Sequence, residues 1–256
     1  MCHAFRLEQY NLCIQGRQNN CNTQCHVTCG NNAVLQCQYN DVSVQCDLSC
    51  AANGCSGTAP TCPSGSSTCV GHTWECNSPI LVDVSGNGFS LTSHSDGVIF
   101  DFYANGQPDR WSWPSPESGN AWLVLDRDGN GPIDNGRELF GSVTPQPPSD
   151  APNGFRALAV FDRRDNGGNE DGFIDSNDAV FSLLRLWQDT NHNGISEPDE
   201  LRTLAELGIA RIDLVYQEKI RKDQFGNVFA FRARVWDVHG AQVGRWAWDV
   251  YLQKAE

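Results

Sequence analysis

The twelve residues from Asp189 to Glu200 constrain this chain more than any other stretch, because their side chains recur at intervals that serve one geometry. Oxygen-bearing side chains stand at positions 1, 3 and 5 (Asp189, Asn191 and Asn193), and Gly194 follows at 6, where the backbone must turn sharply. Ile195 at 7 offers its carbonyl, Glu197 at 9 acts through a water, and Glu200 at 12 closes the shell with two oxygens. This is the ligand order of an EF-hand calcium loop, in which a hard cation takes roughly six to eight oxygens and no sulfur. A polar surface turn is the bland alternative, but it does not require all these positions together.

The same ligand order recurs upstream with irregularities. After the strand-like run Ala121–Leu125 come Asp126, Asp128 and Asn130 at 1, 3 and 5, Gly131 at 6 and Asp134 at 9, with the closing Glu138 at 13, one residue late. In 162–178 the second half is regular: Asp171 at 5, Gly172 at 6, Phe173 at 7 and Asp178 at 12. Its first half carries an insertion of about five residues, across which Asp162 supplies position 1 and Asn169 or Asp165 fills in. Asp83, Ser85 and Asn87 begin another such loop, but His94 stands at its position 12, and a tight Asn/Gly-rich turn fits equally well. At Asp101–Asp109 position 3 is Tyr103, which reads as a degenerate loop or a plain hairpin turn.

Net charge is −13, from Asp+Glu 31 against Lys+Arg 18, which disfavours a nucleic-acid partner. The acids sit in Gly/Asn-rich loops, so divalent cations are the natural counter-charge, and Ca2+ is the expected cofactor. All 12 Cys lie between Cys2 and Cys76. An even count at that density implies disulfides and an oxidising, extracellular compartment. Zinc is the competitor, with His3, His26 and His72 nearby, but the C-x2-C pairs it favours do not occur. The spacing of Cys21, Cys25 and Cys29, echoed by Cys46 and Cys50, suits two short stapled helices. No apolar run is long enough to span a bilayer, so no membrane insertion is expected. The first residues lack the apolar stretch of a signal peptide, so an export signal is expected to have been removed.

The remaining periodicities give an α+β expectation. EF-hand-like calcium loops join short helices and strands, followed by a C-terminal antiparallel β-meander and preceded by a small disulfide-rich domain. The expected divisions are 1–78 (Cys-rich), 79–216 (calcium module) and 217–256 (hairpin or meander packed on the module). A short helix is expected over 153–161. Leu201, Leu204 and Leu207 stripe a second helix over 198–207, opened by Pro198 and ended by Gly208. Alternation at Ile212, Leu214 and Tyr216, then at Phe229, Phe231, Ala233 and Val235, then through Trp246 and Trp248, predicts three strands.

With these motifs in view, 79 to about 216 resembles the calcium-binding, self-processing-type module of large secreted bacterial RTX (repeat-in-toxin; iron-regulated, haemolysin-type) proteins. The landmarks are Pro-Ile-Leu-Val-Asp-Val-Ser-Gly-Asn-Gly at 79–88, Leu-Asp-Arg-Asp-Gly-Asn-Gly-x-Ile-Asp-Asn-Gly-x-Glu-Leu-Phe-Gly at 125–141, and the runs 171–181, 184–189 and 193–208. The resemblance implies a module folded by calcium, and in some members self-cleavage at an Asp-Pro bond just before it. Cleavage there needs the Asp carboxylate to attack its own carbonyl. The matching bond here is Ser78-Pro79, and no Asp-Pro pair occurs in the chain. The resemblance therefore carries over calcium binding and not autoproteolysis.

The resulting expectation is a secreted, non-enzymatic, calcium-stabilised structural or adhesive module, with the Cys-rich region available for self-association or a cell-surface or matrix partner. The alternatives are a self-processing protease-like module and, from the eight Trp, a carbohydrate-binding module.

Overall fold

The computed structural model describes residues 78–149, 151–241 and 245–255, together with the backbone of five strands before them. The chain falls into two units, Met1–Thr58 with Cys69–Trp74, and Ala59–Thr68 with Glu75–Glu256. In the N-terminal part, β1 (Cys25–Cys29), β2 (Ala33–Asn40) and β3 (Ser43–Cys46) form an antiparallel sheet, and β4 (Thr68–Val70) pairs with β5 (Thr73–Glu75). The helix expected through Cys25 and Cys29 is therefore a strand. The cysteine side chains, and with them the disulfide expectation, lie outside the described residues.

The second unit is mostly β, and this corrects the α+β expectation. Its strands are β6 (Ile80–Asp83), β7 (Val98–Phe100), β8 (Asp109–Trp111), β9 (Asn120–Val124), β10 (Phe173–Asp175), β11 (Arg185–Trp187), β12 (Leu201–Thr203), β13 (Ile209–Asp213), β14 (Gln217–Lys222), β15 (Val228–Asp237) and β16 (Trp246–Tyr251). Among the described residues the one α-helix is α1 (Gly154–Leu158), capped by the Asn153 side chain accepting from Arg156 N–H and continued by a 3-10 turn at Ala159–Asp162. Nine strands make one antiparallel sheet in the order β10-β13-β15-β16-β6-β9-β11-β12, with β14 also on β15. The meander strands thus join the same sheet as the loop-bearing strands, and β16 pairs directly with β6.

Register explains the two faces of this sheet. Ala247, Val82 and Ala121 fall in one row, beside Ile80, Leu123, Leu186, Ile212 and Val235 in a buried aliphatic core. The neighbouring row runs Trp248, Leu81, Trp122, Trp187 and faces the other way. The β7–β8 hairpin covers the Trp122 and Trp187 end of that row with Phe100 and the following Trp113, whose ring lies 5.2 Å from Trp122 and 5.3 Å from Trp187, edge to face. With both faces covered, every residue of β6 and β9 is buried, and their sequences read as near-continuous apolar runs.

The helix expected over 198–207 is absent. Leu201 pairs with Trp187 and Thr203 with Arg185, so this segment begins as a strand. Thr203 and Glu206 then exchange side chain to backbone bonds of 2.7 and 3.2 Å, making one capped turn that ends at Gly208 with φ 69. Within that turn Leu204 alone is fully buried. The leucine spacing reflects one inward residue on a turn, not a helical stripe.

Candidate metal centre

Five loops share one backbone device. In each, an Asp side chain folds back so that one carboxylate oxygen accepts the N–H of a glycine further along. The bonds are Gly88 to Asp83 (2.8 Å), Gly106 to Asp101 (2.7 Å), Gly131 to Asp126 (3.0 Å), Gly172 to Asp162 (3.0 Å) and Gly194 to Asp189 (2.8 Å). The second oxygen accepts a further N–H, from Gly86, Asn105, Gly129, Asp171 and Asn193 respectively. All five bonded glycines have positive φ, from 74 at Gly106 and Gly194 to 99 at Gly88. A β-carbon at Gly88, Gly106, Gly131 or Gly172 would meet nothing within 4 Å, so conformation, not space, demands glycine there. Strands feed most of these turns: β6 enters the first, β7 and β8 flank the second, β9 enters the third, and β11 and β12 flank the last. The EF-hand ligand order is thus mounted on hairpin tips and strand ends, and the flanking helices of an EF-hand are missing from the described residues.

Three of the loops add a buried closing carboxylate. Glu138, Asp178 and Glu200 are 2%, 3% and 4% exposed. Glu138 accepts from Arg127 N–H (3.2 Å) and Asp134 N–H (2.9 Å). Glu200 accepts from Thr190 N–H (2.7 Å), Thr190 Oγ1 (2.9 Å) and Trp187 Nε1 (3.3 Å). Asp178 Oδ2 accepts from Asp175 N–H (2.8 Å), while its buried Oδ1 makes no well-formed protein hydrogen bond, although the Asn169 backbone N–H acts on the carboxyl. A poorly satisfied carboxylate oxygen is costly in a protein interior. A cation on that side of Asp178 would satisfy it.

Electrostatics point the same way. Asp126, Asp128 and Glu138 each bring an oxygen within 4.8 Å of the others, the one such group of three among the described residues. Burial, aided by the charges of Asp134 and Asp128, pushes the Glu138 carboxyl above its ordinary range against two backbone N–H bonds. Burial likewise raises Asp178, with the charges of Asp162 and Asp175 adding to it. Three acids gathered at 126–138, with Arg127 the opposite charge acting on Glu138, suit a divalent cation. In 189–200, the loop most regular in sequence, Asn191 and Asn193 are neutral, which is why no comparable three-carboxylate cluster forms. Their amides donate to Glu197 at 3.3 and 2.8 Å, and hydrogen bonding, Asn193 foremost, holds that carboxyl below its ordinary range.

The other expected ligands are placed as follows. Asp134 accepts from the Asn130 amide (3.0 Å), as does Asp128 (3.1 Å), so the side chains of 126–138 converge. Asn169 donates to Asp171 (2.8 Å) inside the inserted loop, which Asp162 still spans. Phe173 N–H is held by Asp171 and opens β10. The Ile195 carbonyl accepts from Glu197 N–H (3.2 Å) and its side chain is exposed. Ser85 bonds Asn87 (3.1 Å) above Asp83, and His94 is exposed. Asp101, treated as degenerate from sequence, makes the same turn as its neighbours. Sequence reading passed over Ser196. Its Oγ accepts from Ile133 N–H (2.6 Å) and donates to Ile133 O (3.2 Å), joining position 8 of one loop to position 8 of the other. Counting both loops from their first Asp would have paired the two residues.

Comparison with known proteins matches residues 80–253 to the SPM domain. The chain is also similar to the iron-regulated protein FrpA of Neisseria meningitidis serogroup C, at 41% identity over 155 residues, 59% of this chain. The matched region spans 13% of that much longer protein.

Proposed function

Since this chain belongs to the SPM domain family, we propose that it is a calcium-stabilised structural module. Three loops hold the ions. Asp126, Asp128, Asn130, Asp134 and Glu138 serve one, Asp162, Asn169, Asp171, Phe173 and Asp178 a second, and Asp189, Asn191, Asn193, Ile195 and Glu200 the third. The observation that carries this reading is the buried closing carboxylate in each, with Asp178 Oδ1 making no well-formed protein hydrogen bond. Bound calcium supplies positive charge and coordination, nothing more. The protein's own part is to present oxygens on turns that backbone N–H groups have already shaped. Asp83, Ser85 and Asn87 lack a closing carboxylate and form a turn in their own right.

The module is secreted and not an enzyme in this reading. The Cys-rich N-terminal sequence supports export, and similarity to FrpA is consistent with it. Extracellular modules need only weak sites, with dissociation constants of roughly 10⁻⁴ to 10⁻³ M. Its task outside the cell is adhesion or assembly, with the Cys-rich part as the contact region. Ser78, fully buried before Pro79, supplies no carboxylate for Asp-Pro cleavage. Calorimetric titration of chelated protein with calcium tests the reading: about three binding events are expected, and an absence of heat would refute it. Analytical ultracentrifugation in calcium tests the assembly role, which a monomer at all concentrations would exclude.

A further inference from the structure

Between the 83–88 turn and the strands β14, β15 and β16 lies a groove of about 440 Å³, whose lining includes Phe89, Lys219, Arg221, Arg232, Trp246 and Trp248. Its cations are layered with aromatic rings. The Arg221 guanidinium lies 4.0 Å from the Phe229 ring centre and 5.0 Å from Trp248. Arg232 lies 4.1 Å from Trp246 and 5.6 Å from Trp248. Stacking fixes a guanidinium plane, and the Arg232 Nε–H is buried with no protein partner. Among the described residues none of the three ion pairs involves Lys219, Arg221 or Arg232. Arg232 reaches only Gln217 (3.4 Å), and burial lowers Arg221 from its ordinary value, with Asp223 opposing and the like charge of Arg232 adding to the shift. Asp83, the acidic residue of the lining, already has both oxygens held by backbone N–H groups. The groove thus gathers three cations, with Asp83 in its lining and Asp223 acting on Arg221, on a chain of net charge −13.

We propose that this groove binds an acidic polysaccharide, gripping its uronate carboxylates with Arg221 and Arg232 and laying a sugar face against Trp246. A uronate presents a carboxylate beside an apolar C–H face, which matches forks set among indoles. An extended acidic peptide would supply carboxylates but not the apolar C–H face of a sugar, and poly-glutamate separates the two in the test below.

The test is calorimetric titration of the full chain in saturating calcium at low ionic strength. The probe is a hyaluronan hexasaccharide, compared with a neutral chitin hexamer and with poly-glutamate. Binding to the hyaluronan probe alone is expected, weakened about tenfold by Arg221→Gln and by Arg232→Gln. Arg232→Lys, which keeps the charge but loses the planar fork, should fall between. Absence of hyaluronan binding, equal binding by the Gln variants, or poly-glutamate binding as tight as the sugar would each overturn the proposal. The calcium-dependent unfolding midpoint should stay at the wild-type value in all variants, which separates failure here from failure of the calcium reading.

Discussion

The loops at 126–138 and 83–94 begin alike and end differently. Both fold an Asp back onto the N–H of a glycine at position 6, and both glycines sit at φ near 100, at 98 and 99. Only 126–138 returns a buried carboxylate, Glu138, where the other offers an exposed His94. The first half of the motif is therefore a turn that the protein can satisfy with its own N–H groups. The second half gathers negative charge, Asp126, Asp128 and Glu138 together, against the single neighbouring cation Arg127. Calcium dependence should follow the second half alone.

Chelation is the broadest way to break that comparison. At calcium about tenfold above a site's dissociation constant, binding adds about 1.4 kcal/mol per site, or about 4 kcal/mol for three. For a unit of this size the midpoint of thermal unfolding should fall by about 10 °C in chelator, and an unchanged midpoint would defeat the calcium reading.

Asp249 sharpens the comparison as a buried carboxyl with no calcium-type loop around it. It is fully buried and accepts from Gly154 N–H at 2.6 Å, and burial pushes its pKa from 3.8 up to about 8. A folded-state pKa above the unfolded value means the contribution is complete below pH about 4 and is lost as pH rises towards about 8. Asp249→Asn should therefore flatten the fall in stability across that window, by a few kcal/mol, whether or not calcium is present. Parallel wild-type and variant melting curves would contradict this.

Asp178→Asn should change the sign of its effect with calcium. In calcium it removes a charged ligand and should cost about 2 kcal/mol. In chelator it relieves a carboxylate raised by burial beside Asp162 and Asp175, so the variant should match or exceed the wild type. Destabilisation of equal size in both conditions would mean that Asp178 is simply a structural hydrogen-bond acceptor. Asp83→Asn gives the smallest effect, about 1 kcal/mol for one lost backbone bond, and urea titration should show it equally with and without calcium.

The loops were legible because their turn is written in residue spacing. Asp126, Asp162 and Asp189 each accept the N–H of the glycine at position 6, even across the insertion in 162–178. The flanking helices were misread because Leu201, Leu204 and Leu207 carry a helical interval that three residues cannot distinguish from a strand followed by a capped turn. The partner that decides the matter, Trp187 opposite Leu201, lies on the far side of the loop. Strand order was illegible for a related reason: β6 packs between β9 and β16, and nothing local in Ile80–Asp83 names a neighbour so distant in sequence. The alternation through Trp246 and Trp248 was visible, but the guanidinium planes stacked on them come from other strands.

The pairing of β6 with β16 also sets a timetable. β6 belongs to the middle of the sheet, yet one of its two neighbours is Trp246–Tyr251. A chain delivered from its N-terminus, by a ribosome or through an export channel, must keep Ile80–Asp83 with one side open until that last strand arrives. The aliphatic core on Ile80 and Val82 cannot close before then, so folding of this unit waits for Trp246–Tyr251 to become available.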